Sequence, residues 1–226
     1  MVTDVKGRRS SAGKGGQART RLARAAVVEA TRALFLERGY AATTIEAISD
    51  VSDVPAATVY RLFSSKLGIL KALLDASIAG DDEAVALPDR PQVRALLADP
   101  DPRNQLSGLA GLIGGIMSRA EPLHRILVSA AGSDPEAAAL LAELMRQRQH
   151  GHAQIARSLA RAGALRPKLR ERHADDILHA LTSPEVYRLL VGDRGWPPER
   201  YEQWLENILI DQLLAPPATG PKRTGS

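Results

Sequence analysis

Cysteine is absent from the 226 residues. That excludes a disulfide framework, a thiolate metal site and a cysteine nucleophile. Aromatic side chains are few: two Trp, four Tyr and two Phe. They stand at the two ends, and residues 64–186 contain none. Long apolar runs are also missing. The stretch Leu106–Met117 is broken by glycines and falls short of the ~20 residues a bilayer span needs. The basic start is followed by no apolar segment, so a secretory signal is not expected. These absences point to a cytoplasmic chain with no membrane partner. Strand signals are lacking too: Ala, Leu, Arg and Glu dominate, and β-branched alternation does not occur. The expected fold class is all-α.

Catalytic patterns are equally scarce. Ser107, Ser118 and Ser129 have no base beside them in any known catalytic pattern. Neither a G-x-S-x-G turn nor a phosphate-binding glycine loop is present. His150 and His152 are two apart on a predicted helix, point roughly opposite ways, and read as solvated surface histidines. No enzyme activity, cofactor or metal is therefore expected.

What is there begins with charge. The formal net charge is +4, from 30 Lys plus Arg against 26 Asp plus Glu. Residues 1–24 alone hold seven basic residues against Asp4, a net of +6, so the other 202 residues sum to −2. A basic end on a near-neutral body suggests an anionic partner for that end, nucleic acid or membrane surface, or else a tail that only aids solubility.

Periodicity gives the order of elements. Residues 1–18 read as a disordered basic arm. A first helix is predicted at Thr20–Arg38, with Val27, Thr31, Leu34 and Phe35 on one face and Gly39 as its stop. Thr44 caps a short helix at Ile45–Val51. After Asp53, a third covers Pro55–Phe63, and a fourth runs from a Ser64 or Ser65 cap to about Ala79. Gly80–Pro102 is a linker holding a short helix near Gln92–Ala98. Further helices are predicted at Arg103–Arg119, Pro122–Ala131, Pro135–Ala162, His173–Val191 (offset at Pro184) and Pro198–Leu214. Residues 216–226 form a flexible tail.

Two short helices joined by a tight turn are a helix-turn-helix candidate. Ile45, Ile48, Val51, Val54, Val59, Leu62 and Phe63 supply its small core. Pro55, Ala56 and Ala57 then leave a helix N-terminus with small side chains, which permits close approach to base edges and phosphates. Thr58, Tyr60, Arg61 and Lys66 add donors within two turns; Arg61 has the reach for guanine O6 and N7.

The stretch from Phe35 through Gly39, Tyr40, Thr43, Thr44 and Ile45, with Ile48, Val54, Thr58, Tyr60, Phe63 and Lys66, closely resembles the DNA-binding domain of TetR-type transcriptional regulators. The likeness covers about Arg21–Leu73. It implies a helix-turn-helix DNA-binding domain at residues 19–66 and a larger helical effector-binding and dimerisation domain at 67–215. It implies a homodimer on a pseudo-palindromic double-stranded operator, a repressor released by a small effector. By that likeness Thr44, Tyr60 and Lys66 hold phosphates, Ala56, Ala57 and Arg61 face bases, and Thr58 serves the backbone. Asp53, Pro55 and Ala57 depart from the family's Gly, Ser or Thr, and Gly at those places. The alternative is a helical interaction protein whose arm binds membrane or protein.

In the larger domain, Gly108, Gly111, Gly114 and Gly115 interrupt an apolar helix, where each glycine costs ~1 kcal/mol against alanine. They suggest close packing or space for a ligand walled by Leu109, Ile113, Met117, Leu127, Leu141 and Met145. With no aromatic cage for a cation, the expected effector is mainly apolar and uncharged. Leu178, Leu181, Val186, Leu189, Trp204 and Ile208, on the last helices, read as a dimer interface or as the subunit's own core.

Overall fold

Gly39 breaks the first helix, α1 (Arg9–Ala42), at φ 77° and ψ 176°, a conformation that glycine reaches without steric cost. The computed structural model describes residues 9–80 and 87–216, with side chains from residue 16 onward. The start of α1 lies inside the stretch expected to be a disordered arm. Extending a formed helix costs little per residue, and Thr20 Oγ1 donates back to Gly16 O at 3.0 Å. Residues 1–8 of the expected arm, and residues 217–226 of the expected tail, lie outside the described residues.

After α1 come α2 (Ile45–Ser52), α3 (Ala56–Phe63), α4 (Lys66–Ala79), a single 3-10 turn at Leu87–Asp89, α5 (Pro91–Ala98), α6 (Pro102–Ala131), α7 (Pro135–Arg161), α8 (Glu171–Leu181), α9 (Pro184–Tyr187) and α10 (Pro198–Leu213). The described residues are all-α, with one isolated bridge between Leu165 and Leu214. The two helices expected either side of Pro122 are one, because α6 runs through it. The expected offset at Pro184 is a full break: Ser183 caps α9, accepting from Val186 N–H, and a wide π turn follows at Arg188–Asp193.

The chain divides into two compact units. One reaches to Asp75 and takes in Arg125–Ala139; the other takes in Ala76–His124 and the described residues from Leu140 on. The first therefore extends past residue 66, where the sequence reading ended it. In it Val27, Leu34, Phe35, Ile48, Val59, Ile69, Leu70, Leu73 and Leu74 are buried. Val51, expected in that core, is instead 57% exposed, on the solvent side of α2.

In the second unit, Leu106, Leu109, Ile113, Met117, Leu159, Leu178, Tyr187, Tyr201, Leu205 and Leu209 belong to one apolar cluster. His152 is buried at 3% exposure, not on the surface, because its face of α7 carries Ile155, Ala156 and Leu159 into that core. The four glycines of α6 divide by role. A Cβ on Gly114 meets Glu202 Cγ at 2.3 Å and one on Gly108 meets Leu96 Cδ1 at 3.2 Å, while Gly111 has open space. One on Gly115 meets only Arg119 Nη1 at 3.5 Å, so Gly111 and Gly115 make no close backbone packing among the described residues.

Candidate nucleic-acid interface

Thr44 starts the site. Its hydroxyl accepts from Ala47 N–H at 3.1 Å, satisfying one free donor at the start of α2. The turn to α3 rests on Asp53 at φ 53° and ψ 32°, the left-handed region that a Cβ disfavours. Ser49 Oγ closes it, donating to Val54 O at 2.8 Å. Asp53→Gly is expected to raise stability by about 1 kcal/mol. Thermal unfolding checks this, and an unchanged or lower melting temperature counts against it.

Pro55 sits at the N-cap of α3 and offers no side-chain cap. Its carbonyl takes Thr58 N–H at 2.7 Å and Val59 N–H at 3.1 Å. The first-turn N–H groups of Ala56 and Ala57 have no intrahelical partner. Pro55 and Ala57 are exposed, and Ala56 is half-buried. Tyr60 is 49% exposed, and Arg61 projects into solvent one residue on. Thr58 is half-buried beside them. Thus an open, positively polarised helix end carries a phenol and a guanidinium and no bulky obstacle.

Lys66 is turned inward. Its ammonium donates to Tyr40 O at 2.6 Å and Thr43 O at 2.7 Å and stands 4.2 Å from the centre of the Tyr40 ring. Burial lowers its pKa, against the pull of Asp134 in the other direction. The Tyr40 phenol is raised, first by burial and then by Asp134 and Glu136; Asp134 is also its hydrogen-bond partner. Asp134 Oδ1 accepts from Glu136 N–H and Ala137 N–H at the start of α7. Lys66 therefore clamps the α1–α2 turn to the start of α4.

Arg24 was counted in the sequence only as arm charge. Its guanidinium lies 4.4 Å over the Phe63 ring and donates to Leu62 O at 3.3 Å, bracing α1 against the end of α3. The pairing spans 38 residues, and no local signal marks it.

The other predicted residues scatter. Leu109, Ile113 and Met117 pack in the second unit's cluster, Leu127 is buried in the first unit, Leu141 is half-buried and Met145 is 48% exposed. An open groove of about 400 Å³ is lined by Gln92, Leu96, Asn104, Gly108 and Leu112, and by none of those six. Of the expected dimer residues, Leu178 is fully buried within its own subunit, while Leu189 is 49% exposed. Leu181, Val186, Trp204 and Ile208 are half-buried against the core. Among the described residues no helix is long and apolar enough to cross a membrane.

Residues 27–73 match the family described as bacterial regulatory proteins, tetR family. No curated protein matches the chain in sequence. Among solved structures, the chain is similar to NalD, the secondary repressor of the MexAB-OprM multidrug efflux pump in Pseudomonas aeruginosa. The identity is 22% and the TM-score 0.66, over 86% of this chain and 98% of NalD. It is similar to SmeT in its triclosan complex at 17% identity and TM-score 0.66, over 90% and 99% of the two chains. It is also similar to the ketosteroid transcriptional regulator KstR2 of Mycobacterium tuberculosis at 19% identity and TM-score 0.57, over 85% and 95%. At these identities the likeness establishes the fold.

Proposed function

We infer that this chain, whose residues 27–73 match the tetR family of bacterial regulatory proteins, is a ligand-responsive transcriptional repressor of that family. It acts as a homodimer on a pseudo-palindromic operator and leaves it when a small, mainly apolar effector binds. The observation that carries this reading is the uncapped, exposed start of α3, with Ala56, Ala57, Tyr60 and Arg61 around it. Such a helix end fits a major groove.

In this reading Ala56, Ala57 and Arg61 face base edges, and Pro55 keeps the approach clear. Thr44, Thr58 and Tyr60 hold backbone phosphates. Lys66 serves by position, since two of its three donors are spent on carbonyls. A dimer sets its two α3 helices ~34–36 Å apart, one turn of duplex. An effector releases DNA only by binding the free state more tightly than the bound one. NalD is described as a repressor and SmeT is seen with triclosan; both are consistent with this role. The dimer interface is assigned to the exposed parts of Leu181, Val186, Leu189, Trp204 and Ile208, with Leu178 behind them. The place of work is the cytoplasm, with its DNA, and the assignment is non-enzymatic.

Arg61→Ala tests the reading. It is expected to cost ~1–3 kcal/mol on the operator and to relax preference at one base position. Competition binding with single-base operator variants measures both. A loss equal on operator and random duplex reduces Arg61 to a phosphate contact. Absence of any operator preference in the parent chain returns the reading to an interaction protein with a basic arm.

A further inference from the structure

Residues 5–28 hold seven basic side chains and no acidic one. Helix α1 carries most of that stretch. From Gly16 to Ala26 none of its residues is buried, and the first that is buried is Val27. A helix in a protein owes most of its stability to a packed apolar face. These turns bury no such face, so core packing does not account for a run of one charge along them.

Arg24 marks the side of these turns that meets the rest of the unit. Its guanidinium donates to Leu62 O at 3.3 Å and covers the Phe63 ring, both at the end of α3. At about 100° per residue, Gln17, Thr20 and Arg21 lie within about 60° of Arg24 round the helix. All three are exposed. Arg19 and Leu22 lie about 140° and 160° away, on the opposite side. The strip that meets α3 therefore continues toward the N-terminus through Arg21 and Gln17. The Thr20 hydroxyl proton goes to Gly16 O at 3.0 Å, which leaves Arg21 and Gln17 as the donors of the strip. Leu62 directly follows Arg61, and α3 has eight residues, about 12 Å of helix. The strip thus begins within one helix length of the exposed Ala56–Ala57 end.

We propose that this strip of α1 is a second DNA-binding surface, on which Arg21, supported by Gln17, holds backbone phosphates of the duplex beside the groove that α3 enters. It rests on the regulator reading above, which puts α3 on the duplex. Charge and shape select the partner. A guanidinium pairs with phosphate through two parallel, charge-assisted hydrogen bonds, and a duplex offers phosphates at regular spacing. Leu22 is the one large apolar residue between Gly16 and Ala26, and it stands on the opposite side. The strip therefore has nothing to insert into a lipid surface. A phosphate contact of this kind fixes position and carries no sequence information.

Fluorescence anisotropy of the full chain across a salt series tests the surface. The probes are a duplex carrying the motif selected from a random pool and a duplex of random sequence. Arg21→Gln is expected to lose roughly tenfold in affinity per bound subunit at about 0.1 M salt, and to lower the slope of log affinity against log salt by about one per subunit, on both duplexes alike. Arg19→Gln removes the same charge from the opposite side of the same turns, and screening holds its effect to less than about twofold. Both positions are exposed, so both variants are expected to melt with the parent. Equal losses in the two variants mean diffuse charge and overturn the proposal. So does an unchanged slope for Arg21→Gln, or a loss confined to the selected motif, which makes Arg21 a base reader. Tighter binding to phosphatidylserine vesicles than to either duplex, weakened by Arg21→Gln, gives the strip to a membrane and also overturns it. The regulator reading is tested separately by the parent's preference for the selected duplex, because the Arg21 effect is read on either one. A parent that binds neither duplex overturns both.

Discussion

Gly68→Ala is expected to destabilise the protein by about 3 kcal/mol, a fall of roughly 10 °C in melting temperature for a chain of this size. An alanine in a helix ordinarily gains ~1 kcal/mol over glycine, so the sign is reversed. The reason is the joint between α3 and α4. Ser65 Oγ accepts from Gly68 N–H at 3.0 Å, capping α4. This brings the Gly68 backbone against the end of α3, where a Cβ would stand 2.0 Å from Phe63 O and 3.1 Å from Phe63 C. Both are backbone atoms, so α3 has to move by about an ångström to restore van der Waals distance. Ser64, at φ 65° and ψ −39°, is already in a region that side chains disfavour and has little slack to share. Because the proposed DNA-facing residues stand on α3, operator affinity is expected to fall with stability. Thermal unfolding followed by circular dichroism decides the matter. An alanine variant as stable as the parent means that the joint is looser than this geometry.

Lys66→Met is expected to cost about 3 kcal/mol, since hydrogen bonds to a charged group contribute ~1.5–3 kcal/mol each. Methionine keeps the length and apolar stem of lysine but leaves Thr43 O without its side-chain donor and Tyr40 O with only the long 3.4 Å bond from Thr43 N–H, and the cation over the Tyr40 ring is gone. Thr43 is fully buried. Its hydroxyl already donates to Gly39 O at 2.8 Å, so it has no second proton with which to compensate. Lys66→Arg is expected to recover only part of the loss, because a planar fork does not reproduce a compact ammonium between two carbonyls. Denaturant unfolding of the three proteins measures this. A methionine variant within 0.5 kcal/mol of the parent contradicts the clamp and makes Lys66 a free phosphate donor.

Much of the helix-turn-helix unit was legible because its punctuation is local. Gly39, Thr44, Asp53, Pro55 and Ser65 each act through their own backbone or the next turn, so their residue types announce the helix ends. The same logic failed at Pro122. A proline forbids one intrahelical bond, and only the packing of the rest of α6 decides that the helix continues through it. It failed for His152 as well. Two histidines two apart share no face, but which face is buried depends on the neighbours of α7. The inward turn of Lys66 and the brace of Arg24 on Phe63 are long-range contacts, and sequence spacing does not encode them. The residues around Leu109 and Met145 show the limit from the other side. Apolar type at helical spacing predicts burial, yet it does not distinguish a packed core from a ligand wall, and Met145 is exposed.

Sequence-specific duplex recognition is the central claim, and selection of bound sequences from a random duplex pool tests it most directly. The account predicts enrichment of one two-fold symmetric motif with half-site centres ~10 base pairs apart or a multiple of that spacing. It further predicts at least ~10³-fold tighter binding to that motif than to random duplex, with affinity falling steeply as salt rises. A pool that stays unenriched, with equal affinity for every duplex, contradicts it.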